Sequence, residues 1–253
     1  MSILDAAPPP PPAPDTTASD TAPSPPRPIG TGHPARPALG WTELLTLVPL
    51  WLVVSVLLFV PVALIGDSAL PGPVPTLALG ASAFLVTALI VTALRVRSTA
   101  AVGLRRTSWR WIGLGVVAGI VGLVTSVGVA AAYIAITGDT SDLRPDLSAG
   151  ASGSGVQVAL FLALGVALVP FAEELFFRGL LFGALRRHGF LVAVTVSSVL
   201  FGLAHGLSVA LVGAALFGAL TAALYERSRS IWPAVAAHVT NNAIALTAAV
   251  VLL

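Results

Sequence analysis

The chain contains no cysteine and no lysine. Without cysteine there is no disulfide, no thiolate nucleophile and no thiolate-held metal, so His, Asp, Glu and Asn are the donors left for any metal. Without lysine, all 13 basic residues are arginine. The sequence pI near 9.9 therefore rests on a net charge of only +2 and does not describe a nucleic-acid-binding surface. Charge of either sign is scarce, at 9% against about 25% in ordinary globular chains. What is abundant is apolar: 56% of 253 residues, at a mean hydropathy of +0.94. Such a chain cannot cover a water-facing surface, and most of it must face lipid. Cytosolic enzymes, nucleic-acid binders and secreted folds are excluded. The lipid bilayer is the first expected partner, nucleic acid is not one, and no oligomeric state is specified.

Residues 1–40 form a separate regime. Pro8 to Pro12 is an unbroken proline run, and Pro, Ser, Thr and Ala dominate up to Ala38. Such a segment buries too little apolar area to offset its ordering entropy, which predicts a disordered, locally polyproline II tail. No basic start followed by an apolar stretch is visible, so no cleavable signal peptide is expected.

Long apolar segments follow, near 42–65, 75–94, 111–137, 156–185, 190–205, 207–225 and 231–252. A helix needs roughly 20 apolar residues to cross a bilayer core. The prediction is an all-α polytopic bundle with about seven transmembrane helices, the fifth too short to cross alone. Pro170 should kink the fourth by removing a backbone donor. Arginine placement supports the count. Arg27 and Arg36 lie in the tail, Arg95, Arg97, Arg105, Arg106 and Arg110 in the second loop, Arg186 and Arg187 in the fourth, Arg227 and Arg229 in the sixth. The loops between them hold no basic residue except Arg144. By the positive-inside rule this predicts a multi-pass plasma-membrane protein with a cytoplasmic N-terminus and an external C-terminus.

Ionisable residues inside apolar spans are costly unless they face a partner or a cavity. Glu173, Glu174 and Arg178 lie on the fourth span, His205 ends the fifth, and His238 lies with Asn241 and Asn242 on the seventh. Glu174 and Arg178 are i,i+4, on one helix face and in the favourable order for an ion pair. Glu173 points about 140° away from Arg178 and has no counter-ion on its own helix, a placement that suits a general base. Counted from the arginine-rich ends, Glu173 and His205 fall at roughly 20 Å, His238 near 10 Å and Asn242 near 16 Å. The junction of the fifth and sixth spans, around Gly206, is expected inside the protein, facing a cavity.

Glu173-Glu174-Leu-Phe-Phe-Arg178 reads EExxxR, Phe201-Gly-Leu-Ala-His205 reads FxxxH, and His238-Val-Thr-Asn-Asn242 reads HxxxN. Three such motifs in this order, each on its own apolar span, resemble the CPBP family of intramembrane proteases, which includes CAAX prenyl endopeptidases and Abi-like bacteriocin-processing or immunity proteins. The resemblance covers roughly residues 155–252, within a catalytic core at 151–253 behind N-terminal transmembrane helices at 41–150. It implies hydrolysis of a peptide bond in a membrane-associated, prenylated or leader-type substrate. Glu173 would activate a water with help from His205. His238 and Asn242 would polarise the carbonyl and stabilise the oxyanion, and Arg178 would orient the motif through Glu174. Members are often called metalloproteases, and Glu173, His205 and His238 allow a His₂Glu zinc site with an open position. No HExxH helix accompanies it, so a metal-independent glutamate mechanism is preferred. The polar site is expected to open towards the cytoplasmic side.

Other readings compete. Gly150-Ala151-Ser152-Gly153 spells the GxSG of rhomboid-type serine proteases, although its Gly/Ser-rich surroundings read as a linker. A transporter or proton relay would also use intramembrane Glu and His, but no internal repeat is visible. A non-catalytic immunity protein is the third. Gly115 and Gly119, Gly179 and Gly183, and Gly202 and Gly206 form GxxxG pairs that favour tight helix packing.

Overall fold

The computed structural model describes residues 39–65, 72–140 and 145–252. The proline-rich tail up to residue 38 lies outside the described residues. Leu39, assigned to that tail, is instead buried against Gly183, so the packed body begins by residue 39.

All regular structure among the described residues is helical: α1 (Trp41–Ile65), α2 (Pro73–Val91), α3 (Trp109–Thr137), α4 (Pro145–Ala151), α5 (Gly155–His188), α6 (Phe190–Leu203), α7 (Val209–Ser228) and α8 (Trp232–Leu252). Six of these are long and apolar enough to cross a membrane, while α6 is shorter. The expected polytopic bundle is the observed one, with the fifth apolar segment short of a full crossing. The loop expected at 138–155 holds the additional helix α4, and α2 runs on as a π turn over Thr92–Val96 into the expected second loop.

Helix ends follow local chemistry. Ser154 and Gln157 form a reciprocal capping box at the start of α5, satisfying two of the amides a helix N-terminus leaves open. Gly138 closes α3 in the left-handed conformation at φ 71°, which glycine adopts without steric cost. Pro170 does not break α5. The helix passes through π-helical turns at Leu164–Leu168 and Leu175–Phe182 on either side of it, which absorb the missing donor and the ring's bulk.

Two packing features position the site. Gly115 and Gly119 on α3 press against the backbone of α8: an added Cβ would stand 2.3 Å from the Pro233 carbonyl oxygen and 2.3 Å from that of Ala237. This GxxxG pair therefore works within the chain, bringing α8 to α3. On the other side, Trp51, Phe84, Phe176, Phe177 and Phe201 form a chain of ring contacts from α1 through α2 and α5 to α6. Aromatic edge-to-face pairs add about 0.5–1.5 kcal/mol each beyond their buried area, and here they fix the face of α5 that carries the carboxylates.

Candidate functional site

The site is built on α5, where π-helical winding starts directly after Glu174. Glu174 is fully buried and Arg178 is 1% exposed. Arg178 Nε stands 3.1 Å from Glu174 Oε2, the expected i,i+4 ion pair. The guanidinium also donates through Nη2 to the Gly218 carbonyl at 3.2 Å and lies 4.3 Å above the Phe201 ring. A buried Arg–carboxylate pair is tolerated only when further hydrogen bonds or π faces replace lost water, and α6 and α7 supply both. Gly218 makes the room, since a Cβ there would meet Arg178 Nη2 at 3.2 Å.

His238 joins α8 to this pair. Its Nδ1 lies 3.0 Å from Glu174 Oε1 and its Nε2 lies 3.8 Å from Glu173 Oε2. Both carboxylates of the EE pair thus face one imidazole. Glu173 lacks a partner on its own helix, as expected, yet is not isolated, because α8 brings it one. An Nδ1–H donated to the Glu174 carboxylate leaves Nε2 as the second nitrogen, facing Glu173. The rings of Phe201 and Phe217 stand against the same imidazole at 5.8 and 5.3 Å between centroids.

Asn242, one turn along α8, donates through Nδ2 to the Gly165 carbonyl at 2.8 Å. In the π turn of α5 the Val169 amide bonds to the Leu164 carbonyl, five residues back. The next donor in that ladder would be residue 170, a proline with no N–H. Asn242 supplies the donor that Pro170 lacks. The proline itself was the signal for this link, but only the folded chain identifies the asparagine that answers it.

His205 follows the last turn of α6, just before Gly206 at φ 91°. Its Nδ1 is 2.9 Å from the Phe201 carbonyl. A carbonyl only accepts, so Nδ1 carries the proton and Nε2 is the free nitrogen. Asn241, grouped with the polar residues of the seventh span but given no role, reaches the Gly119 carbonyl across the α3–α8 contact at 3.4 Å.

A cavity of about 380 Å³ joins these elements, lined by His205, His238, Asn241 and Asn242 together with Phe201 and Phe217, and continuing past Val127, Ala130 and Ala248 to Leu147 of α4. The structure brings His205, His238 and Asn242 to one cavity. It places Glu173, Glu174 and Arg178 behind His238 rather than on the cavity wall.

Two expectations need correction. The cavity lies away from the arginine-rich end. Its wall includes Val127 and Ala130, about 27 and 31 Å along α3 from its arginine-rich start, and Val209 and Ala210 at the far end of α7. His238 also lies deeper than 10 Å, because α8 begins inside the bundle, where Ser230 and Ile231 are fully buried. Its neighbours Phe201 and Phe217 each stand about 16 Å along their helices from the arginine-rich end.

Nor do the zinc candidates gather. Among the described residues no group of three His, Asp or Glu side chains is placed to hold a metal ion. Glu173, His205 and His238 do not fit as a ligand set in this arrangement. Ser152, in the turn just after α4, hydrogen-bonds through Oγ to the Ser148 and Ala149 carbonyls of that helix and is exposed.

Comparison with known proteins agrees with the motifs. Residues 155–244 match the family model described as type II CAAX prenyl endopeptidase Rce1-like. The chain is 35% identical over 86 residues to the Bacillus subtilis (strain 168) protein named "Putative membrane peptidase YdiL", covering 34% of this chain and 35% of that one. The match thus spans about a third of the relative's length. No solved structure matches. The family match covers the stretch holding all three motifs, and the two comparisons bear out the CPBP resemblance.

Proposed function

We propose that this chain is a membrane-embedded endopeptidase that cleaves a peptide bond in a membrane-associated substrate by attack of a water activated through Glu173. The observation that carries this reading is the convergence of both EE carboxylates on the two nitrogens of His238, beside a cavity shared with His205 and Asn242. Acid–base chemistry needs a titratable pair that can come within reach of one proton; Glu173 Oε2 stands 3.8 Å from His238 Nε2, a gap that closes to a hydrogen bond in the substrate complex. A cavity water gives its proton to the pair formed by His238 Nε2 and Glu173, the carboxylate standing behind the imidazole, and His205, its free Nε2 on the cavity, assists. His238, when doubly protonated, and the second amide hydrogen of Asn242 polarise the scissile carbonyl and stabilise its oxyanion. Such donors are worth more in a dry, preorganised pocket than in water. Glu174 and Arg178 are positioning residues that fix the His238 ring. The site works without a resident metal in this reading. Family resemblance favours a prenylated or leader-type peptide as substrate.

Reconstitution of the full chain in liposomes tests this against the transporter reading. Cleavage of a membrane-anchored reporter peptide and ion flux across the same vesicles are measured together. The expected result is cleavage without flux, with Glu173→Gln lowering the cleavage rate by about 10²–10⁴ while the protein still inserts. Flux that depends on Glu173, without cleavage, would overturn the proposal.

A further inference from the structure

We propose that substrate enters from the membrane face opposite the arginine-rich loops, as a peptide anchored by an apolar segment in that half of the bilayer. This rests on the hydrolytic reading above and adds the side and the form in which the substrate arrives.

Three observations support it. First, the arginine-rich end is sealed. The segment after α2 folds back into the bundle, burying Ala101, Val102 and Gly103. The Gly103 carbonyl accepts the Ile231 amide at 3.0 Å, and Ser230 Oγ donates to the Arg105 carbonyl at 2.8 Å. Val102 presses its carbonyl onto Gly179, while Gly103, at φ +80°, leaves room for the Tyr225 ring, which an added Cβ would meet at 2.4 Å. Tyr225 and Ile231 are 1% and 0% exposed. Between the arginines and His238 the bundle is packed.

Second, the wall of the cavity itself becomes more exposed away from the arginines. At the cavity floor Phe201, Phe217 and His238 are all buried, whereas Val127 and Ile244 on its upper wall are 60% and 43% exposed. The turn that carries His205 is open as well, with Gly206, Leu207 and Ser208 exposed.

Third, the lining divides by chemistry. His205, His238, Asn241 and Asn242 gather at the floor, where a peptide bond needs polar partners. The upper wall is built mainly from Val127, Ala130, Leu147, Ile244 and Ala248, which suit an aliphatic or apolar side-chain segment. A peptide standing in that half of the bilayer would lay its apolar anchor along this wall and lower the polar backbone beside it to the floor. By the positive-inside rule the arginine-bearing face is cytoplasmic, so the substrate approaches from the external leaflet, which selects the leader-type peptide over a prenylated one held in the cytoplasmic leaflet.

The absence of cysteine makes a direct test available. Single variants Ala130→Cys and Ala248→Cys on the cavity wall, with Arg106→Cys as a marker of the arginine-rich face, are expressed as the full chain. A sulfonated, membrane-impermeant maleimide is then applied to intact cells and to inverted vesicles. The expected result is labelling of the two wall cysteines in intact cells and its loss in inverted vesicles, with the reverse for Arg106→Cys. Wall cysteines that label only from the Arg106 side would overturn the proposal, as would cysteines that label only after detergent extraction. Thermal stability of each purified variant confirms folding. The labelling needs no turnover, so an inward-opening cavity would leave the hydrolytic reading standing, and an outward-opening but inert protein would sink only that reading.

Discussion

Arg178 carries a full positive charge at a position 1% exposed, and its tolerance there depends on three partners from three helices. Removing one member of a buried pair strands the other, at a cost of about 3–5 kcal/mol, whereas replacing both by apolar residues of similar size is often neutral. Arg178→Ala should therefore lower the melting temperature in detergent much more than the double variant Glu174→Leu/Arg178→Met. The double variant should still be inactive, because His238 loses the carboxylate that holds Nδ1. Equal destabilisation in both would mean that the pair is not the structural unit described. The sequence already contained half of this arrangement. Helical periodicity separates Glu173 from Glu174 and pairs the latter with Arg178, because both residues lie on one element. That His238 should turn one nitrogen to each glutamate depends on the rotation of α8, which periodicity on α5 cannot supply.

Within α5, the feature that decides geometry is the π winding on both sides of Pro170. The sequence predicts a kink there from the missing donor, and the helix answers with an altered ladder and an outside donor, Asn242, to the Gly165 carbonyl. Loss of that donor leaves a polar oxygen open, worth about 1–3 kcal/mol. Asn242→Ala should thus destabilise the protein by this amount in the natural background and by clearly less in a Pro170→Ala background, where the chain regains its own amide. Thermal melts of the four proteins in the cycle measure the difference. Equal costs in the two backgrounds would show that Asn242 does not serve the proline. The apolar segments themselves were legible to within about three residues at most ends, since a span of lipid-facing side chains announces itself by length. Helix α4 was not, because a seven-residue helix bounded by Gly, Ser and Asp has no periodicity long enough to stand out.

For the whole molecule, hydropathy and arginine alternation predicted the bundle and its distinct ends, but not which end holds the cavity. Counting residues from each arginine-rich loop treats every helix as starting at one plane, and α8 starts deeper because the α2–α3 segment packs over Ser230 and Ile231. That insertion both lowers His238 and closes the bundle beneath it. The GxxxG pair on α3 was readable as a close-packing signal, but its partner helix was not, since small residues give proximity without naming a neighbour.

The central claim is that Glu173 and His238, from two helices, act on one proton. A double-mutant cycle on the cleavage rate tests it most directly, using Glu173→Gln, His238→Ala and their combination in proteoliposomes. If the two act as a unit, the double variant should be no slower than the worse single variant, as for catalytic groups that function together. Losses that multiply, or a Glu173→Gln protein that cleaves at the unaltered rate, would contradict the account.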